Sequence, residues 1–237
     1  MMDLKTAVDL RHSRRAYIPE TLPLDTACKL HDYVTELNRI PGVNIHFLTN
    51  NSDAFDGILK SYGFFSGVKN YFVVVRNINN PNSTVKAGYY GEKLVLYCTT
   101  LGLNTCWVSA TFDRKSCPVD IAENEEICAA IPVGHSPRRK SISENLLEAV
   151  YHPRSKRLNE MYIAEKTPPP EWFLRGIAAV VKAPSAYNRQ PAKFIYHADG
   201  TVGVELRQTD KSGSIDLGIA GLHFEIGSGR KLILFSA

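Results

Sequence analysis

The reading of this chain turns on the stretch Ala183-Pro-Ser-Ala-Tyr-Asn-Arg-Gln-Pro-Ala-Lys-Phe194. Pro184 stops the apolar helical run before it, because proline lacks an amide hydrogen and its ring clashes with the preceding turn. Ser185 and Asn188 then place short polar side chains beside backbone amides that no helix satisfies. Such a loop suits a flat polar heterocycle. It reads equally as a plain helix-to-strand connection, since Pro, Ser and Asn are ordinary loop residues. Gln190-Pro191 leads into an apolar strand at Phe194 to Tyr196. His197-Ala-Asp-Gly200 separates that strand from Val202 to Leu206, which predicts a hairpin.

Outward from this stretch, Glu171 to Lys182 has helical spacing, and Asp216 to Gly227 predicts a helix with Asp216 as its cap. Lys231 to Ala237 reads as a closing apolar strand. Residues 151–170 shift in composition, with four prolines and mixed charges, and mark an internal connection. Before it, helices are expected at Asp3 to Leu10, residues 24–38 and residues 84–101, and from Ser141 to about Val150 with Glu144 at capping-box spacing. Strands are expected at Val43 to Leu48, Tyr71 to Val75, Thr105 to Val108 and Ile127 to Val133. Mixed alternation with hairpin signals predicts an α+β, three-layer architecture rather than a doubly wound parallel sheet. A faint repeat also occurs. Gly88-Tyr-Tyr-Gly91 and Gly218-Ile-Ala-Gly221 lie 130 positions apart in two of the helices.

Three further segments carry candidate chemistry. In Arg11-His-Ser-Arg-Arg-Ala-Tyr17, alternate residues of an extended chain point the same way, so Arg11, Ser13 and Arg15 converge. Arginine forks and a hydroxyl suit a phosphate. The same residues also suit a solvated basic stretch after a helix C-terminus. Leu101-Gly-Leu-Asn-Thr-Cys-Trp-Val108 is a helix end followed by a short strand, and its useful groups would be backbone amides just beyond. Pro132-Val-Gly-His-Ser-Pro-Arg-Arg-Lys140 ends a strand in a basic run, from which Arg139 could reach a phosphate.

Composition sets limits. The chain has 237 residues, 44% of them hydrophobic and 22% charged, which is ordinary for a globular protein. The net charge of +4 is mild, and the basic residues do not form one long face, so nucleic acid is not an expected partner. No apolar run approaches ~18 residues, and the first residues lack the apolar core of a secretory signal, so no membrane segment is expected. Five cysteines without a CxxC pattern fit a reducing, cytoplasmic setting. The histidines show no metal-ligand spacing, and no metal is expected. Neither a GxGxxG after a strand nor a GxSxG occurs, which argues against a Rossmann site and an α/β-hydrolase.

Taken together, these segments resemble the nitroreductase family of FMN enzymes. Arg11 to Tyr17 resembles its Arg-x-Ser-x-Arg-x-Phe/Tyr. Pro184 to Phe194 resembles its Pro-Ser-x-x-Asn-x-Gln-Pro-Trp-x-Phe, with Ala192 in place of the tryptophan. Leu101 to Val108 resembles its Leu-Gly-Leu-x-Thr/Ser-Cys-Trp, and the run from Val133 its late Gly-Tyr-Pro and Arg-Lys segment. The order differs: in the family the Pro-Ser motif comes soon after the arginine motif, whereas here it follows Trp107. Family enzymes are homodimers in which one subunit supplies the arginine motif and the other the Pro-Ser loop. The order here is that of a fused pseudo-dimer.

The resemblance implies a nitroreductase-like α/β/α chain of two fused half-domains, 1–150 and 171–237, joined by 151–170 and packed as one unit. It implies one FMN per chain, no obligate homodimer, and NAD(P)H as electron donor to a nitroaromatic, quinone or similar small acceptor by a ping-pong route. Arg11, Ser13 and Arg139 would hold the phosphate, with Arg138 nearby, and Arg15 would sit by the pyrimidine edge. Pro184, Ser185, Ala186 and Asn188 would touch the ring or ribityl chain, and Ser109 and Ala110 would offer backbone amides. No side chain is required as acid or base, because the flavin carries the chemistry. Separately from the resemblance, the aromatic pair Phe64-Phe65 could line a substrate side. Flavin storage or sensing, and other flavin chemistry such as ene reduction, are the competing readings.

Overall fold

The computed structural model describes residues 2–56, 64–151, 154–207 and 210–235. Helix α1 (Leu4–Leu10) starts at Asp3, whose carboxylate accepts the Thr6 amide at 2.8 Å. Helix α2 (Leu24–Asn38) and strands β1 (Asn44–Leu48) and β2 (Tyr71–Asn77) follow. Then come α3 (Ser83–Thr100), the two-residue β3 (Asn104–Thr105), β4 (Glu125–Gly134) and α4 (Ile142–Tyr151). The rest of the chain gives β5 (Tyr162–Ala164), α5 (Glu171–Val181), β6 (Ala192–Tyr196), β7 (Val202–Leu206) and α6 (Lys211–Ser228).

The strands form two sheets. The larger is antiparallel in the order β1-β2-β4-β3, and the smaller has the order β5-β6-β7, with β5 parallel to β6 and β7 antiparallel to it. In β2 the pleat sends alternate side chains to opposite faces. Phe72 and Val74 pack with Leu30 of α2 and Leu94 of α3, while Tyr71, Val73 and Val75 pack with Phe55 and Phe65. Both faces are therefore buried, which is why the strand reads as a continuous apolar run. The architecture is α+β, as expected.

Helices α3 and α6 make the central crossing, and the repeated glycines permit it. A Cβ on Gly88 would overlap the Ile215 carbonyl, and one on Gly218 would overlap the Val85 carbonyl. Val85 and Ile215 are themselves 130 positions apart. The contact is thus reciprocal, as at an interface with two-fold symmetry. Gly91 lies against the Trp107 ring and Gly221 against Leu234, so each motif uses its second glycine to seat a side chain from farther along the chain.

Several boundaries differ from the sequence expectations. Helix α6 begins at Lys211 and is capped by Asp210, whose carboxylate accepts the Gly213 amide at 2.8 Å. Asp216 therefore lies inside the helix rather than at its start. Residues 231–235 form no strand, and Ser236 and Ala237 lie outside the described residues. Leu234 packs on Gly221 and Phe235 on Tyr89, so side-chain packing replaces strand pairing there. The strand expected at Thr105 to Val108 is only Asn104–Thr105 plus a single bridge from Val108 to Ala130. The connection 151–170 contributes β5 to the second sheet. Among the described residues no helix is long and apolar enough to cross a membrane, and no cluster could hold a metal ion.

Candidate functional site

The arginine motif runs as an extended edge. Ser13 bridges Thr105 in parallel, and the Arg14 amide donates to the Thr105 carbonyl at 3.1 Å. On its other side the motif pairs with Ser66: Tyr17 donates its amide to the Ser66 carbonyl at 2.9 Å, and Ser66 returns a bond to Arg15 at 3.0 Å. Extended geometry sets Arg14 on the side opposite its neighbours Ser13 and Arg15. Arg11, Ser13 and Arg15 line cavities, while Arg14 is buried on the opposite side.

Arg14 is one residue that sequence reasoning missed. Its guanidinium meets Glu144 at 3.0 Å, with side-chain exposures of 10% and 4% for the pair. Glu144 also accepts the amides of Arg15 at 2.8 Å, Ala16 at 3.3 Å and Ser141 at 2.9 Å. Ser141 Oγ in turn accepts the Glu144 amide at 3.1 Å, which completes the expected capping box. One carboxylate thus starts α4 and pins the arginine strand. Burial alone would raise its pKa, but Arg14 and the three amides outweigh that and bring it down to about 2.

The Pro-Ser loop faces this strand. Tyr187, Asn188 and Gln190 all have positive φ, at 53°, 52° and 48°. Side chains rarely adopt this region, so the surrounding contacts must hold the loop. The Ser185 hydroxyl accepts the Gln190 amide at 2.9 Å. The Gln190 side chain, which is buried, donates to the Val181 carbonyl at 3.0 Å and accepts the Lys156 amide at 2.7 Å. Lys156 Nζ reaches the Gln190 carbonyl at 2.6 Å. Gln190 is therefore a strut, and Ser185, Ala186 and Asn188 are what the loop presents.

Two cavities meet between strand and loop. The first, ≈ 330 Å³, is mainly apolar, with Trp107, Val108, Phe64, Phe65, Ile215 and Ile219 on its walls. Ser109, Ala110 and Ala186 also line it. The second, ≈ 440 Å³, is polar, with Arg11, His12, Lys140, Ser155 and Asn188 on its walls. Ser13, Arg15, Pro184 and Ser185 belong to both, so the two form one elongated depression with an apolar end and a cationic end. Arg11 donates to Ser13 Oγ at 3.2 Å, yet its Nε is buried without a partner. Nine of the eleven expected residues are brought together here. Arg138 and Arg139 are exposed and line neither cavity; Lys140 supplies the cation from that run.

Trp107 is held from behind. Its indole donates to Glu92 at 2.7 Å, and His223 Nε2 lies 2.8 Å from the other Glu92 oxygen. His223 Nδ1 meets the Ala179 carbonyl at 3.1 Å, so that nitrogen carries a hydrogen. Glu92 and His223 are fully buried. The network ties α3, α5 and α6 to one wall of the apolar cavity.

The chain belongs to the family described as "Putative TM nitroreductase", whose match spans residues 3–228. Its fold is similar to that of a solved "putative nitroreductase" from Thermotoga maritima. The TM-score is 0.63 at 19% identity, over 95% of this chain and 83% of the other. A nitroreductase family protein from Clostridium difficile matches with TM-score 0.49 at 17% identity, over 70% of this chain and 99% of that one. A nitroreductase with bound FMN from Bacteroides fragilis matches with TM-score 0.44 at 14% identity, over 60% and 95%. No curated protein sequence matches the chain.

Proposed function

We propose that this chain binds one FMN in the elongated depression and acts as an NAD(P)H oxidoreductase of nitroreductase type, reducing a nitroaromatic, quinone or similar small acceptor. The carrying observation is the continuity of the two cavities through Ser13, Arg15, Pro184 and Ser185. A flat ring, a polar chain and a phosphate need an apolar slot, a polar neck and a cationic end, in that order. The buried, unpartnered Arg11 Nε is a donor awaiting an acceptor at the cationic end.

The roles follow from position. Arg11, Ser13 and Lys140 would hold the phosphate, with forked and point-charge donors around one anion. Arg15, at the junction, would stabilise negative charge on the ring's polar edge. Pro184, Ser185, Ala186 and Asn188 would meet the ring and the ribityl chain. Ser109 and Ala110 line the apolar end from beyond β3. Bound FMN would supply hydride acceptance and donation. These residues would bind and orient it and exclude water.

We read the two parts of the chain, 1–150 and 171–237 with 151–170 between, as fused halves of a pseudo-dimer. The reciprocal glycine crossing of α3 and α6 supports this reading. One half then supplies the arginine strand and the other the Pro-Ser loop, so a second chain is not needed to complete the site. Four buried and one exposed cysteine, all unpaired, suit a reducing cytoplasmic setting.

The test is an absorbance spectrum of purified protein, repeated anaerobically with NADH and with NADPH. We expect about one FMN per chain, bleached by at least one nucleotide. Flavin that neither nucleotide bleaches would leave only a flavin-binding protein. No uptake of added FMN would end the reading.

A further inference from the structure

Asp216 was expected to cap a helix, and Asp210 does that instead. Asp216 lies within α6, 6% exposed, and lines the apolar cavity beside Ile215 and Ile219. Among the described residues its one hydrogen-bond donor is the Ala186 amide, 3.1 and 3.2 Å from its two oxygens. A carboxylate can accept about four hydrogen bonds. Glu144 shows what an ionised carboxylate receives in this protein: a guanidinium and three amides. Asp216 has one shared amide, with Ile215 and Ile219 beside it on the cavity wall.

That setting favours the protonated form. Burial is the main cause, and Asp210 adds to it, while the Ala186 amide and Arg189 oppose it. Arg15 is the other charged side chain lining the cavity. The balance brings Asp216 up to about 7. A general acid works best when its pKa lies near the operating pH.

We propose that Asp216 is the acid of this site and gives its carboxyl proton to a quinone-class acceptor in the apolar cavity. The step rests on the flavin reading above and balances as follows. The quinone receives two electrons and one hydrogen as a hydride from the reduced flavin. Asp216 breaks its O–H bond and supplies the second hydrogen, which forms an O–H bond on the acceptor. Hydroquinone leaves, the flavin is oxidised by two electrons, and the aspartate regains a proton from water.

Asp216→Asn tests this, because the amide oxygen can still accept from Ala186 and keep the loop in place. Without flavin, the wild-type infrared spectrum should show a buried carboxylic acid band that titrates near neutral pH and is missing in the variant. In the flavin-loaded protein, anaerobically reduced, reoxidation by a quinone should slow about 100-fold in the variant. Reoxidation by ferricyanide, which takes electrons without a proton, should keep its rate. The proposal is overturned if the band is absent, if the quinone rate holds, or if both oxidants slow alike. A wild-type chain that takes up no FMN overturns the parent reading and this step with it, and absorbance shows that before any variant is compared.

Discussion

Replacing Glu144 with glutamine should unfasten the arginine strand from the start of α4. The size of the effect can be worked in two ways. Removing one partner of a buried ion pair costs about 3–5 kcal/mol, since the other charge stays buried, and Arg14 is only 8% exposed. Linkage gives a similar figure. The Glu144 carboxyl falls from 4.5 to about 2 on folding, and each unit is worth about 1.4 kcal/mol, hence about 3 kcal/mol. For a domain of this size that lowers Tm by about 10 °C. The sign in pH follows from the lowered folded-state value. The stabilisation is complete above about 4.5 and is lost as pH falls toward about 2. Urea unfolding of wild type and Glu144→Gln should therefore show a difference that is flat from pH 7 to about 5 and shrinks below it. A difference under about 1 kcal/mol at pH 7, or one that stays constant into acid, would refute the assignment of Glu144 as the anchor.

Two further outcomes are expected. Arg11→Ala with Lys140→Ala should weaken FMN binding at least 100-fold by fluorescence titration, since each charge-assisted contact is worth roughly 1.5–3 kcal/mol; Arg138→Ala with Arg139→Ala should change it little, and the reverse ranking would move the phosphate site. Gly88→Ala and Gly218→Ala should each cost about 2–3 kcal/mol in urea unfolding despite the better helix propensity of alanine, because each new methyl meets a carbonyl of the opposite helix; a stabilised variant at either position would remove the close crossing.

Much of the site was legible because its signals are local. The parity of an extended chain pointed Arg11, Ser13 and Arg15 one way, and all three line the depression. The capping box gave the start of α4, and Phe64 and Phe65 line the apolar cavity. What remained hidden depends on distant partners. Arg14 looked like one more basic residue, since Glu144 lies 130 positions away. The Glu92–His223 pair spans 131 positions and has no local signature. Asp216 was misread because Ser212, Gly213 and Ser214 are weak helix formers and masked the true first turn. The closing apolar run reads as a strand, but Leu234 and Phe235 pack on α3 and α6, and Ile233 is exposed.

The order of the motifs and the glycine crossing bear on the same question from independent directions. A two-fold dimer of identical chains would repeat every contribution and so build two equivalent sites. In this chain the crossing is reciprocal, because Gly88 meets Ile215 and Gly218 meets Val85. The chemistry around it is not. The Arg-x-Ser-x-Arg strand occurs only before the crossing and the Pro-Ser-x-x-Asn loop only after it. Close helix packing serves stability and works the same from both sides, which fits a glycine motif in each of the two helices. On the proposed reading, FMN would need one phosphate cradle and one ring clamp, and each part of the chain would carry one of them. The outcome is a depression that Arg15 and Ser185 both line, from parts of the sequence that share a helix-packing motif but not the Arg-x-Ser-x-Arg and Pro-Ser-x-x-Asn segments.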